Sequence, residues 1–265
     1  MTRVFITGGA SGLGRALAEA YARDGAKVCI GDINAERCAE TLAALKALGA
    51  EAHALPCNVT VEADLVAAAT WLKQSWGGVD LVFNNAGVAD AGGIDEMPIA
   101  DWQWMIDINL LGVVRGCKAF VPMLKSQGSG HLINTASMAG LIHPPMMSAY
   151  NATKAAVVAL SETLQAELHP HGIRVSVVCP AFFRTNLAES VRTAIAQINP
   201  DVRVTPITQR ADAALLNTLV AQADVVIDCC DNFETRHAVN RACVQHGKPL
   251  VSGAAIRMDG QVSVF

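Results

Sequence analysis

A short apolar run, Arg3-Val-Phe-Ile-Thr7, leads directly into Gly8-Gly-Ala-Ser-Gly12-Leu-Gly14, and a helical pattern then continues through Leu17, Ala20 and Tyr21. Strand, glycine-rich turn and helix in that order form a dinucleotide-binding unit. Glycine lets the backbone approach a pyrophosphate, and the helix N-terminus offers free N–H groups and the positive end of its dipole. A glycine cluster alone is an ordinary turn; the strand before it and the helix after it make it a nucleotide loop.

The next strand, Lys27-Val-Cys-Ile-Gly-Asp32, ends in an acid 18 residues beyond Gly14. A carboxylate there can accept hydrogen bonds from an adenosine ribose and would repel a 2′-phosphate. Ile33 follows it, and Ser11 stands where a basic residue would welcome that phosphate. The three favour NAD over NADP, and Arg15 close by is the basic residue that keeps NADP as the second choice. Beyond Asp32, helical segments at 34–48 and 61–76 alternate with a strand ending at Cys57-Asn58-Val59 and with Asp80-Leu-Val-Phe83, which runs into Asn84-Asn85-Ala86-Gly87. A long helical segment at 99–126 carries Asn109 within it. Later strands are His131-Leu-Ile-Asn-Thr-Ala136 and Arg174-Val-Ser-Val-Val-Cys-Pro180. The alternation predicts an α/β fold with a doubly wound parallel sheet, Rossmann-like, its motifs on loops at the carboxyl ends of the strands. A core-facing asparagine inside a helix caps or bends the backbone, which is the structural reading of Asn109.

Chemistry enters after Pro144-Pro145, where Ala155, Val158, Leu160, Leu164 and Leu168 recur at helical spacing. Tyr150 and Lys154 are four apart on that helix and share a face. A cation beside a phenol favours the phenolate, so the spacing predicts a lowered Tyr150 pKa and proton exchange with an alcohol oxygen. Ser137, at a strand end, could hold the same oxygen by a hydrogen bond.

With 20 basic and 24 acidic residues the net charge is −4, without the basic excess that nucleic acid or anionic membrane requires. The eight cysteines form no CxxC pair and have no metal-ligand spacing, so no metal is expected; the adjacent Cys229 and Cys230 read as a buried strand end. Reduced thiols, no signal peptide and no apolar run of 18 or more residues predict a soluble cytoplasmic protein.

Residues 1 to about 190 resemble the short-chain dehydrogenase/reductase family. The resemblance rests on Thr7-Gly8-x3-Gly12-x-Gly14, Asp32, Asn84-Asn-Ala-Gly87, Asn109, Ser137, Tyr150-x3-Lys154 and Pro180-x4-Thr185, in the family's order and approximate spacing. It implies a catalytic set of Asn109, Ser137, Tyr150 and Lys154. Tyr150 would be the acid/base and Ser137 would orient the substrate oxygen. Lys154 would hold the nicotinamide ribose and lower the Tyr150 pKa, and Asn109 would anchor a water in the proton relay. Cofactor contacts would come from Gly8, Ser11, Gly12, Leu13 and Gly14 in the loop and from Asp32 and Ile33 at the ribose. Asn58 and Val59 would border the adenine, followed by Asn85, Ala86 and Gly87, by Tyr150 and Lys154, and by Pro180 and Thr185 at the carboxamide end. The implied activity is interconversion of a secondary alcohol and a ketone with NAD, and the implied assembly a homodimer or homotetramer paired through the helices at 99–126 and 149–169. Asn58 stands where an aspartate is common, and Ala181 where glycine usually follows the proline. Met138, His143, Met146 and Met147 suggest a fairly apolar small-molecule substrate.

After Leu187 the pattern changes. Where the family has a substrate-covering lid and a last strand, the chain reads Ile198-Asn-Pro200, Asp228-Cys-Cys-Asp-Asn232 and Leu250-Val-Ser-Gly-Ala-Ala-Ile-Arg257. These stretches resemble the second half of the adenylyltransferases that activate sulfur-carrier proteins in molybdopterin and thiamine synthesis. By that resemblance Asp231, Asn232 and Arg236 would fall near an ATP–magnesium site. The segment lacks its own glycine-rich loop, the basic residues before it and the CxxC pairs, so adenylyl transfer or carrier-protein binding is the alternative function and an inactive fusion a third. The expected organisation is a dehydrogenase domain at 1–190 without its usual lid and a half-domain at 191–265, a chimera with its seam between 186 and 194. The strand-like runs at 202–207, 224–230 and 249–256 are expected to place at least one strand on the open edge of the first sheet; a small separate lobe is the alternative.

Overall fold

Alternating apolar residues put both faces of the first strands to use. In β1 (Arg3–Thr7), Val4 and Ile6 pack on one face with Ala18 and Ala22 of α1 (Gly12–Arg23), while Phe5 faces the other core. The same alternation divides Val82 from Phe83 in β4 (Leu81–Asn84) and Leu132 from Ile133 in β5 (Gly130–Thr135). Successive strand side chains point to opposite faces, so buried residues on both sides require helices on both sides. A computed structural model describes residues 1–180, 211–228, 233–256 and 259–264 of the chain.

β2 (Lys27–Asp32), β3 (Ala52–Pro56) and β6 (Ile173–Val178) complete a six-stranded parallel sheet in the order β3-β2-β1-β4-β5-β6. The order reverses between β1 and β4, the switch point at which open sheets of this kind bind ligands. α1 and α2 (Ala35–Ala47) contribute buried residues to one core. α3 (Glu62–Trp76), α5 (Gly112–Gln127) and α7 (Ser148–Leu168) contribute to the other. α2 begins at Asn34, whose side-chain oxygen accepts the Arg37 N–H at 2.9 Å; caps of this kind satisfy a donor that the first turn leaves free.

The long helix expected at 99–126 is broken. α4 (Ile99–Ile106) passes into a π-turn at Asp107–Leu111 before α5 begins. Asn109 causes the break. Fully buried, it accepts the Val88 N–H at 2.8 Å and donates to the Val88 carbonyl at 2.9 Å, which draws its turn out of the regular ladder. Such π-bulges concentrate at functional sites. A second departure is α6 (Ala139–Ile142), one turn of helix between Ser137 and α7.

The chain divides into two compact units, Met1–Val204 and Thr205–Phe265. Within the second, α8 (Ala213–Gln222) and α9 (Phe233–His246) bury Leu216, Val220, Val239, Ala242 and Cys243 with Leu250. Its sheet has the order β7-β8-β9, with β7 (Val226–Asp228) parallel and β9 (Asp259–Val264) antiparallel to β8 (Leu250–Ile256). Within the runs expected at 224–230 and 249–256, Val226–Asp228 and Leu250–Ile256 are therefore strands of their own sheet, and neither pairs with β6; residues 229–230 and the run at 202–207 lie outside the described residues. Pairing with each other satisfies the backbone groups of β7 and β8 on their shared edge without a foreign strand.

Candidate active site

The nucleotide loop is built by close approach. Gly8 (φ +63°) and Gly12 (φ +51°) adopt left-handed backbone that favours glycine. A Cβ on Gly8 would come 2.9 Å from the Ala86 Cα, and one on Gly14 would run into the Gly8 carbonyl oxygen. The loop is thus held against the turn that follows β4 by a contact that no side chain on Gly8 allows. Thr7 and Asn85 fasten it further. The Thr7 hydroxyl accepts the Asn85 and Ala86 N–H groups at 2.9 and 3.1 Å, and the Asn85 amide donates to the Thr7 carbonyl at 3.0 Å. Ser11 precedes the first turn of α1, and Leu13 is half-buried beside it.

Asp32 sits at the end of β2 next to this loop. Its carboxylate accepts the Ala10 N–H at 3.1 Å through one oxygen and the Asn34 N–H at 3.1 Å through the other. Ile33 is 76% exposed beside it. Past β3, the Asn58 side chain accepts the Thr60 N–H and hydroxyl at 3.0 and 2.8 Å, and Val59 is buried. Residues 57–59, expected within a strand, form the turn leaving it, with the Cys57 N–H on the Asp32 carbonyl at 3.0 Å.

The four expected catalytic residues reach one place from three elements. Ser137 follows β5, Tyr150 and Lys154 lie on α7, and Asn109 on the π-turn. Gly87 marks their meeting point: a Cβ there would lie 3.1 Å from Asn109 Oδ1 and 3.3 Å from Lys154 Nζ. The Ser137 hydroxyl accepts the Ala139 N–H at 3.1 Å and acts on the Tyr150 phenol, and Lys154 Nζ lies 5.7 Å from the Tyr150 ring centre. Lys154 is 3% exposed and donates to the Thr135 carbonyl at 2.9 Å. Pro180 lies at the same end of the sheet, its carbonyl accepting the Met138 N–H at 3.0 Å. Thr185, Cys229, Cys230, Asp231 and Asn232 lie outside the described residues. Arg236 on α9 approaches the buried Asp228 at 4.0 Å.

The electrostatics correct one expectation. The Tyr150 phenol stands above its ordinary range, not below it: burial raises it, and the nearby Ser137 side chain offsets only part of that effect. Burial also lowers Lys154 to about 8, while the nearby Cys179 thiol acts in the opposite direction. A lysine that pays so large a desolvation cost, held by a backbone carbonyl, is a weaker lever on the phenol than a solvated i, i+4 pair suggests.

Sequence reasoning missed Thr135, Thr153, Arg115 and Cys179. Thr135 and Thr7 both end strands beside motifs, a placement that could have pointed to them. Thr153 accepts from Asn109 Nδ2 at 3.3 Å and donates to the Tyr150 carbonyl at 2.8 Å, joining the π-turn to α7. Cys179 reads as one more small hydrophobe; only the fold brings it near the Ser137 backbone and Lys154. Among the described residues, no three His, Cys, Asp or Glu are grouped so that they could hold a metal ion.

A switch-point glycine loop with a Ser–Tyr–Lys–Asn cluster defines a class, and comparison gives that class its name. The family model of the short chain dehydrogenases matches residues 2–196, and the chain belongs to that family of oxidoreductases. The ThiF family model matches residues 180–265, in line with the likeness of the C-terminal segment to the sulfur-carrier adenylyltransferases. The putative oxidoreductase SadH of Mycobacterium tuberculosis is 37% identical over 191 residues, 71% of this chain and 69% of that protein. The 2,5-dichloro-2,5-cyclohexadiene-1,4-diol dehydrogenase LinX of Sphingobium indicum is 36% identical over 186 residues, 70% of this chain and 74% of that protein. Among solved structures, NAD⁺-bound xylitol dehydrogenase superposes with a TM-score of 0.73 at 30% identity, covering 75% of this chain and 77% of that one. Levodione reductase gives 0.71 at 32% identity, covering 76% and 78%.

Proposed function

We propose that the chain is an NAD-dependent dehydrogenase that interconverts a secondary alcohol and a ketone, with Tyr150 as its acid/base. The observation that carries this reading is the buried Lys154, 5.7 Å from the Tyr150 ring centre and beside Asn109 at Gly87, at the carboxyl end of the sheet.

The residues fit a nicotinamide dinucleotide. Gly8, Ser11, Gly12, Leu13 and Gly14 would hold the pyrophosphate at the start of α1, Asp32 and Ile33 the adenosine ribose, Asn58 and Val59 the adenine. Asn85, Ala86, Gly87, Tyr150, Lys154 and Pro180 would follow toward the nicotinamide, with Thr185 completing that end. When bound, the cofactor supplies the hydride donor or acceptor. Ser137 and Tyr150 would hold the substrate oxygen, and Tyr150 Oη would give it a proton in reduction or take one in oxidation. Lys154 would hold a ribose hydroxyl, and Asn109, fixed by Val88 and Thr153, would anchor the water of a proton relay. NAD over NADP follows from the Asp32 carboxylate, pinned by two N–H groups where a 2′-phosphate would have to sit. The exposed Ile94, Leu141, Ile142 and Met146, on the loop after β4 and around α6, support a fairly apolar substrate.

We read residues 1–190 as the dehydrogenase domain and 191–265 as a half-domain that contributes no phosphate loop of its own, with the seam within 186–194. Overlap of the two family matches at 180–196 supports that placement. A homodimer or homotetramer is the assembly this reading favours. The deciding experiment is an alcohol and ketone screen with NAD(H), run beside Tyr150→Phe. Turnover in wild type that falls by about 10²–10⁴-fold in the variant supports the assignment, and equal turnover rejects it.

A further inference from the structure

We infer that Arg115 is a positioning residue of the nucleotide site, tying the Val59 wall to the π-turn that presents Asn109. The inference rests on the dinucleotide reading above. Arg115 lies on the first turn of α5. Its Nη1 donates to the Val59 carbonyl at 3.2 Å and to the Asp107 carbonyl at 3.1 Å, and its Nη2 meets Asp107 Oδ1 at 2.6 Å. The side chain is only 20% exposed.

Those acceptors belong to two otherwise separate pieces of chain. Val59 leaves β3 two residues after Cys57, whose N–H is bonded to the Asp32 carbonyl, so it belongs to the strand-end cradle holding the ribose-facing acid. Asp107 opens the π-turn. Between them, Gly112 lets helix and loop touch: a Cβ there would lie 2.9 Å from Val59 Cγ2. A planar guanidinium suits this job, since its fixed fork serves a carbonyl on one side and a carboxylate on the other. From Asp107 the connection runs to Asn109, and through Thr153 to Tyr150. Loss of the fork would free the Val59 loop while leaving the sheet and both cores as they are.

The test uses the full-length protein, titrated with NADH and separately with AMP, which probes the adenosine half alone, well below the unfolding temperature. Arg115→Met is expected to weaken both ligands about tenfold, the equivalent of one charge-assisted hydrogen bond. Arg115→Lys is expected to lose less than Arg115→Met but still more than twofold, since its ammonium keeps one of the bonds and cannot reproduce the fork. An arginine that merely stabilised the fold would lower the melting temperature and leave AMP affinity within about twofold of wild type; that result overturns the inference. If Arg115→Met does not fold, Arg115→Lys decides on the same criterion. Wild type that binds neither NADH nor AMP would overturn the dinucleotide reading and the inference with it, whereas wild type that binds beside an unaffected variant overturns the inference alone.

Discussion

Lys154 sets activity against stability more sharply than any other residue of the site. Its ammonium is buried at 3% exposure with one carbonyl partner, and its pKa falls from 10.5 to about 8. Below pH 8 both the folded and unfolded chains carry the proton, and the folded chain bears the full cost of the buried charge. Between about pH 8 and 10.5 the folded state releases its proton first, so stability should rise with pH across that window. Lys154→Met should raise the melting temperature at pH 7, because removing a buried charge outweighs one lost hydrogen bond of about 1 kcal/mol, and should abolish turnover. A melting temperature that falls in the variant would show that the Thr135 contact dominates. Tyr150 gives a second pH signature. A phenol held above its ordinary range is protonated at neutral pH. Alcohol oxidation, which needs the phenolate, should therefore speed up from pH 7 toward 10, and ketone reduction should not. Initial rates in both directions across that range check it.

At the scale of elements, glycine and asparagine placement decides the geometry. Gly14→Ala would drive a methyl into the Gly8 carbonyl, parting loop from helix. A loss of roughly 1–3 kcal/mol is expected, the usual cost of overpacking, together with loss of NAD binding; chemical denaturation and an NADH titration measure the two. Here the sequence was readable where local chemistry rules. The Gly8–Gly14 loop, Asp32 at a strand end and the face shared by Tyr150 and Lys154 follow from spacing alone. It was less readable where tertiary contacts override pattern. Apolar periodicity runs unbroken through 99–126, yet the two bonds between Asn109 and Val88 open a π-turn that no period reveals. α6 is too short to show a period at all. The direction of the Tyr150 shift depends on burial, which outweighs the effect of Ser137, and neither is written in the i, i+4 spacing.

For the molecule as a whole, two sheets with separate buried cores predict two unfolding steps. The smaller core, centred on Leu216, Val220, Val239 and Leu250, should melt first, since small units bury a lower fraction of their surface. The β7 and β8 runs were legible as strands, but their choice of each other over β6 was not, because apolar content specifies a strand without specifying its neighbour. If the dinucleotide site is assembled in a chain whose C-terminal part matches a second family, its ligand should stabilise the first unit. Calorimetric unfolding of the full-length protein with saturating NAD, NADP or ATP–magnesium, each added separately, tests it most directly. A ligand bound to the folded state alone at about 100 times its dissociation constant adds roughly 2.7 kcal/mol. NAD is expected to raise the upper transition, NADP to raise it less, and ATP–magnesium to move neither. A shift with ATP–magnesium alone, or no shift with any of the three, would contradict it.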